Sequence, residues 1–200
     1  MVNRRYGNQK PTFSTVGDWS YTRGDAAVKL FANYKISFYE SQQWELKVFF
    51  ARNADGTFAS RTICISKPRQ NGKSFAVRFY CIWCAAIEGL RVLYTAHHGK
   101  TVRKMFREIR TFITAHADFM RILKPHGEGI YKAAGSEGVY FVDTTGKDSG
   151  CIEFQTRTDG GGRGETYDVI VCDEAQYLTD EHLEAIKPTT IAAAGVDENS

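Results

Sequence analysis

The first 26 residues mix Gly, Ser, Thr, Asn and Arg with little periodicity, which predicts a loosely ordered arm. From Ala27 to Ala51 the pattern turns helical, with Phe38, Leu46, Phe49 and Phe50 among the apolar positions, and Asn53-Ala-Asp55-Gly56 predicts a turn. The β-branched run Thr62 to Ile65 predicts a strand, residues 66–74 a tight loop, and Phe75 to Ile87 a helix. Leu90 to Ala96 reads as the next strand and Gly99 to His116 as a helix of two faces. Val102, Met105, Phe106, Ile109, Phe112 and Ile113 recur on one side at 3.6-residue spacing, opposite Lys100, Arg103, Lys104, Arg107 and Arg110. Residues 124–150, rich in Gly, Lys and Asp around Gly138 to Val142, predict a β-excursion with turns. Cys151 to Gln155 is a short strand, and Asp159-Gly-Gly-Gly-Arg163-Gly164 must be a loop. Tyr167 to Cys172 is a fully apolar strand that ends in Asp173-Glu174. Thr179 to Ile186 predicts a helix capped by Thr179, with Pro188 just beyond, and Thr189 to Ala194 begins one more strand.

Strands alternating with helices define an α/β class, here expected as a three-layer sandwich around a mostly parallel central sheet. Two hundred residues make one domain over 27–200 the natural expectation after the arm of 1–26. Hydrophobic residues make up 42% and charged residues 24%, the balance of an ordinary globular chain, and the net charge of +3 permits nucleic-acid binding without arguing for it. The basic side of the 99–116 helix fits either a solvated outer face or a grip on a DNA backbone. No run of 18 apolar residues exists and the N-terminus is polar, so neither a membrane span nor a secretory signal is expected. The five cysteines, Cys64, Cys81, Cys84, Cys151 and Cys172, are odd in number and fit buried reduced thiols; Cys81-Ile-Trp-Cys84 lies within a helix and has no second pair.

The chemistry gathers first at Ile65-Ser-Lys67-Pro68-Arg69-Gln70-Asn71-Gly72-Lys73-Ser74. Strand, loop and helix are the setting of a phosphate-binding loop, because amide N–H groups at a helix start, with the dipole behind them, receive polyanions. Gly72 lets the backbone come close, Lys73 would supply a point charge to the β/γ phosphates, and the Ser74 hydroxyl would ligate Mg²⁺. The full pattern G-x-x-x-x-G-K-[ST] fails, since Lys67 stands at the first glycine. Gly-Lys-Ser alone arises by chance in roughly one chain in ten of this length, so a second motif must decide. That motif is the apolar strand delivering Asp173-Glu174, as a Walker B strand does. Asp173 would hold Mg²⁺ and Glu174 would orient and deprotonate the water attacking the γ phosphate, against the alternative of two acids at a helix start. On this reading Lys73, Asp173 and Glu174 converge on one magnesium-bound ATP within a P-loop NTPase fold of the ASCE/RecA-like kind.

Pro68-Arg-Gln-Asn-Gly-Lys-Ser74, Arg163-Gly164, Asp173-Glu-Ala-Gln176 and Thr189-Thr190 together resemble the ATPase domain of tailed-phage terminase large subunits, over roughly residues 36–196. That family's Walker A loop commonly departs from the general pattern at the first glycine. The resemblance implies an ATP-hydrolysing, Mg²⁺-dependent motor that moves double-stranded DNA into a procapsid, working in the host cytoplasm with a portal protein and a small terminase subunit. A homo-oligomeric ring is implied when assembled, with a monomer alone as the other open state. Arg69 looks like the arginine carried inside the family's loop, and Gln43 is similar to the glutamine near the adenine, although Gln42 and Trp44 leave its register open. Arg163, eleven residues before Glu174, matches an arginine that some members insert into the neighbouring subunit's site. Thr189 and Thr190 resemble the coupling motif. Large subunits continue into an RNase H-like nuclease domain; none follows within these 200 residues, so nuclease activity is not assigned to them.

Two other readings compete. Asp173-Glu-Ala-Gln176 and Thr189-Thr190 also resemble motifs of superfamily 2 helicases, although these usually keep the first loop glycine and need a second RecA-like lobe. A non-enzymatic nucleic-acid-binding module rests on the mild basic charge and the 100–110 helix face.

Overall fold

Helix α1 (Gly24–Ala32) and helix α2 (Glu40–Phe49) occupy the stretch whose spacing predicts one continuous helical segment. This computed structural model describes residues 8–68, 70–133, 135–157 and 166–191, with side chains described up to residue 185. The break between the helices has a local cause: Lys35 takes a left-handed conformation, φ 62°, and the chain closes on itself with Lys35 N–H donating to Ala32 O and Ile36 N–H to Phe31 O. Such paired bonds end a helix, and glycine normally marks the left-handed position. A lysine there gives no warning in the sequence. The second helix starts where the Gln42 side chain accepts from Tyr39 N–H at 2.9 Å, satisfying one of the open donors of the first turn.

The chain divides into two compact units, Met1–Tyr80 and Cys81–Ser200, the division falling inside helix α3 (Lys73–Ala86). In the first unit, strand β1 (Tyr21–Thr22) pairs antiparallel with strand β2 (Ala51–Arg52). Structure thus begins inside the stretch expected to be a loose arm. The predicted turn is present, with Gly56 N–H donating to Asn53 O at φ 89°. Gly24 sits so close to α2 that a Cβ there would lie 2.6 Å from the Lys47 backbone, which excludes any larger residue. An aromatic cluster fills the core: Phe79 packs against Phe31, Phe38 and Phe75 with ring centroids 4.7, 5.4 and 5.1 Å away.

Residues 62–68, expected to begin with a strand, join neither of the described sheets. Cys64 is correspondingly exposed, against the expectation of a buried thiol. A β-branched run is only a surface suited to pairing, and without a laddered neighbour it stays irregular. Cys81 and Cys84 are buried in α3, and burial pushes the Cys81 thiol up to about 12, so it stays protonated.

The second unit is built on a five-stranded sheet of order β4-β5-β6-β3-β7. Strand β3 (Arg91–Ala96) lies parallel to both its neighbours, β6 (Asp148–Thr156) and β7 (Val169–Cys172). Strand β5 (Glu137–Val142) pairs antiparallel with β6, and β4 (Ile130–Tyr131) pairs antiparallel with β5 at the edge. The sheet is therefore mixed, not mostly parallel, because the 124–150 excursion returns by tight turns and tight turns reverse a strand. Val92 to Ala96 are buried on both faces, as a central parallel strand requires. Helix α4 (Gly99–Thr114) follows β3 and buries the six apolar positions its spacing predicts, with Phe106 against Phe154 at 5.3 Å. A short helix α5 (Ala117–Arg121) continues from it. The α/β layering is compatible with a three-layer sandwich.

After β7 comes a single 3₁₀ turn, Ala175–Tyr177, and then helix α6 (Asp180–Ile191). Thr179 caps it as expected: its hydroxyl accepts from His182 N–H at 3.3 Å while its own N–H donates to the His182 ring at 3.2 Å. The expected strand from Thr189 is corrected here, since the helix runs through Pro188, Thr189 and Thr190 to Ile191. Proline's φ fits a helix; inside one it forfeits a hydrogen bond and crowds the carbonyl four residues back, which can kink a helix without ending it.

Candidate functional site

In the first unit the phosphate-loop sequence enters α3 directly, so Lys73 and Ser74 stand in the helix's first turn, where the dipole favours an anion. Two left-handed residues shape the approach, Gln70 at φ 65° and Gly72 at φ 72°. Only Gly72 is also sterically tied, since a Cβ there would lie 2.4 Å from Gln42 Nε2. The Gln42 amide, buried in the protein, donates to Gly72 O at 3.2 Å. Lys73 Nζ folds back to donate to Lys67 O at 3.1 Å, so the lysine at the end of the loop is seated on the loop's beginning. The Lys67 ammonium in turn pairs with Glu45. Pro68, Gln70, Asn71 and Ser74 are exposed, and Arg69 lies outside the described residues.

Gln43 turns its amide to Phe38 O at 3.0 Å. Its neighbour Gln42 is the glutamine that touches the loop. The sequence left this register open because both residues sit in one turn of helix, and only packing decides which side chain faces inward.

In the second unit the C-terminal ends of β3, β6 and β7 converge on Asp173 and Glu174. The Asp173 backbone N–H donates to Thr95 O at 2.9 Å, which extends the β3–β7 ladder one residue. Its carboxylate accepts from Tyr94 OH at 2.7 Å and from Glu174 N–H at 2.8 Å. Burial first, and Asp173 next, push the Tyr94 hydroxyl far above its ordinary value, so it stays a donor. Glu174 itself is left-handed, φ 54° and ψ 45°, a strained state for a residue with a Cβ. Arg157 holds it there. This buried guanidinium donates to Asp173 O at 2.6 Å and Glu174 O at 3.0 Å, and its other arm to Thr95 O and Thr95 Oγ1 at 3.2 Å each.

The Glu174 carboxylate is aimed by the start of α4. It accepts from His98 N–H at 3.0 Å, from Thr101 OH at 3.0 Å, and lies 3.2 Å from the His98 ring. Burial alone would raise this carboxyl; the bonds from His98 and Thr101 outweigh it and hold the group below its ordinary value. A carboxylate kept ionised and aimed can accept a proton from a water or order one. Tyr177, from the 3₁₀ turn, stacks on His97 at 4.5 Å and meets His98 edge-on.

Arg157, Tyr94, His98 and Thr101 are residues that motif reading passed over. One signal was available for Arg157: a cation immediately after an apolar strand, parallel in the sheet to the strand that delivers the acids. Arg163 lies outside the described residues, as do the side chains of Thr189 and Thr190.

Mg²⁺ prefers one or two carboxylates together with phosphate oxygens and water. Among the described residues no group of three or more His, Cys, Asp and Glu could hold a metal ion by itself. The Ser74 hydroxyl in the first unit and, separately, the Asp173 carboxylate in the second are oxygen donors of the kind such an ion takes.

The fold and the acids define an α/β protein with an acidic site at the C-terminal ends of parallel strands, where ligands gather in such sheets. No protein-family model matches the chain. It is similar to the tripartite terminase subunit 3 of equine herpesvirus 1 (strain Ab4p), 25% identical over 130 residues, which is 64% of this chain and 16% of that protein. The subunit 3 of human herpesvirus 2 (strain HG52) is 25% identical over 138 residues, 68% of this chain and 18% of that one. That of varicella-zoster virus (strain Dumas) is 24% identical over 130 residues. The matched stretch thus spans under a fifth of these relatives' length. The likeness supports a terminase-related protein. No helix among the described residues is long and apolar enough to cross a membrane.

Proposed function

We propose that this chain is the ATP-hydrolysing motor domain of a terminase large subunit of the tailed-phage kind, with a P-loop NTPase fold. It uses Mg²⁺-ATP to move double-stranded DNA into a procapsid in the host cytoplasm. Support comes from the Pro68–Ser74 string, from the likeness to herpesvirus terminase subunit 3, and above all from the aimed Glu174 carboxylate. Phosphoryl transfer asks a protein for positioning and charge stabilisation more than for covalent chemistry. Lys73 and the α3 N-terminus take the phosphates, Ser74 and Asp173 bind the Mg²⁺ that comes with them, and Glu174 orders the attacking water. Arg69 and Arg163 are the arginines that stabilise charge on the transferring phosphate. Thr189 and Thr190 couple hydrolysis to movement, and the Gln42-Gln43 turn of α2 serves the nucleotide, Gln42 by holding the loop and Gln43 by contacting the base with what its bond to Phe38 O leaves open. The portal protein and a small terminase subunit are the partners, and the working form is a ring of copies.

The test is Mg²⁺-ATP turnover with and without double-stranded DNA. Turnover should be slow alone, rise with DNA, and fall at least roughly 100-fold in both Lys73→Ala and Glu174→Gln, with Glu174→Gln still binding nucleotide. Hydrolysis that persists in both variants would sink the motor reading.

A further inference from the structure

The first unit carries a buried acid that the proposed chemistry does not use. Glu45 lies one helical turn beyond Gln42 on α2, so both side chains leave the same face of that helix. Gln42 donates to the Gly72 carbonyl, at the end of the phosphate loop, and Glu45 pairs with the Lys67 ammonium, at its beginning. The side chains of Glu45 and Lys67 are 9% and 18% exposed. Lys67 closes the circuit, since its carbonyl accepts from Lys73 Nζ at 3.1 Å.

A charge pair is an expensive way to fill space. An apolar side chain at the Glu45 position would fill the buried space without desolvating a carboxylate. Burial pushes the Glu45 carboxyl above its ordinary value, against the pull of Lys67 and then Lys73. Its Oε2 is buried with no hydrogen-bond partner among the described residues. Common phosphate loops carry a small glycine where Lys67 stands. A long cationic side chain at that position is free to lie across the loop unless something draws it aside.

We propose that Glu45 is a positioning residue for the phosphate loop: it draws the Lys67 ammonium onto α2, clear of the phosphate path, and so fixes the Lys67 carbonyl as the seat of Lys73. Together with Gln42 it fastens the loop at both ends to one helix face. The inference rests on the nucleotide-binding reading above and names the device that lets this loop work without its first glycine.

Mg²⁺-ATP binding by isothermal titration calorimetry, paired with turnover at saturation, tests it on the full chain. Glu45→Gln keeps the shape and removes the charge; it should weaken Mg²⁺-ATP binding about 10-fold while saturated kcat stays within about 2-fold. In a Lys67→Met background the same change should move the affinity by less than about 2-fold, because Glu45 then has no ammonium to place. Melting temperatures of each variant, with Glu45→Leu as an apolar replacement, separate loss of fold from loss of binding. A wild-type affinity in Glu45→Gln, or an equal loss with and without Lys67, overturns the positioning role while leaving nucleotide binding intact. Failure of the wild-type chain to bind Mg²⁺-ATP overturns the nucleotide reading itself, and this role with it.

Discussion

The two halves of the candidate machinery are held in different ways. Asp173 and Glu174 grow out of the sheet: a ladder bond to Thr95, a buried guanidinium across consecutive carbonyls, a tyrosine hydroxyl and the start of α4 fix backbone and carboxylates together. The described residues of the 67–72 loop belong to no sheet and are fastened through side chains of α2, with Pro68, Gln70 and Asn71 exposed. An over-determined site tolerates strain, which is why Glu174 can remain left-handed. A tethered loop depends on a few contacts.

That contrast can be broken most forcefully at Arg157. Arg157→Ala strips hydrogen bonds from the Thr95, Asp173 and Glu174 carbonyls at once, and should cost roughly 3 kcal/mol in urea unfolding. Hydrolysis should fall with it. A stable, active Arg157→Ala protein would mean that the strand ends need no common anchor.

Gly72→Ala should cost about 2 kcal/mol, from a left-handed alanine and the crowding of Gln42. Its larger effect should fall on nucleotide affinity, measured by calorimetry. Equal stability loss with unchanged affinity would place Gly72 in the fold and not in a binding loop.

Thr101→Val removes one of the donors to Glu174 and should cost about 1 kcal/mol at neutral pH. The sign of its pH dependence follows from a folded-state carboxyl that titrates below its ordinary 4.5. Stability from Glu174 is present above about pH 4.5 and is lost as pH falls through the depressed folded value. The wild-type and Glu174→Gln unfolding curves should therefore have similar slopes at neutral pH, with the wild type losing more stability between that pH and the acid limb. Parallel curves throughout would remove the bonds from His98 and Thr101 from the account.

Lys35→Gly is the smallest effect and has the opposite sign. Relieving one left-handed lysine should raise stability by about 0.5 kcal/mol, after the extra chain entropy of glycine is counted. A loss of stability would mean that the Lys35 side chain contributes more than its backbone strain costs.

Much was legible where the signal is local. The six apolar positions of α4 were readable because a 3.6-residue repeat needs no partner to be seen. The strand before Asp173-Glu174 was readable because an unbroken apolar, β-branched run fits a buried parallel strand, and Val169–Cys172 is one. What misled was a pattern with a concealed interruption: no glycine marks Lys35, so two helices read as one. Thr62 to Ile65 has strand composition without a ladder, and the turn-rich stretch from 124 to 150 hid two antiparallel pairings that make the sheet mixed.

By itself the sequence determined the α/β alternation and the helix after the loop, read as Phe75 to Ile87 and found as Lys73–Ala86, because each depends on neighbours a few positions apart. Tertiary structure alone decided that Gln42 and not Gln43 meets the loop, that Lys67 is drawn to Glu45, and that Arg157 spans the strand ends. Those contacts join residues 16 to 62 positions apart, and chain distance carries no trace of which buried donor will find which acceptor.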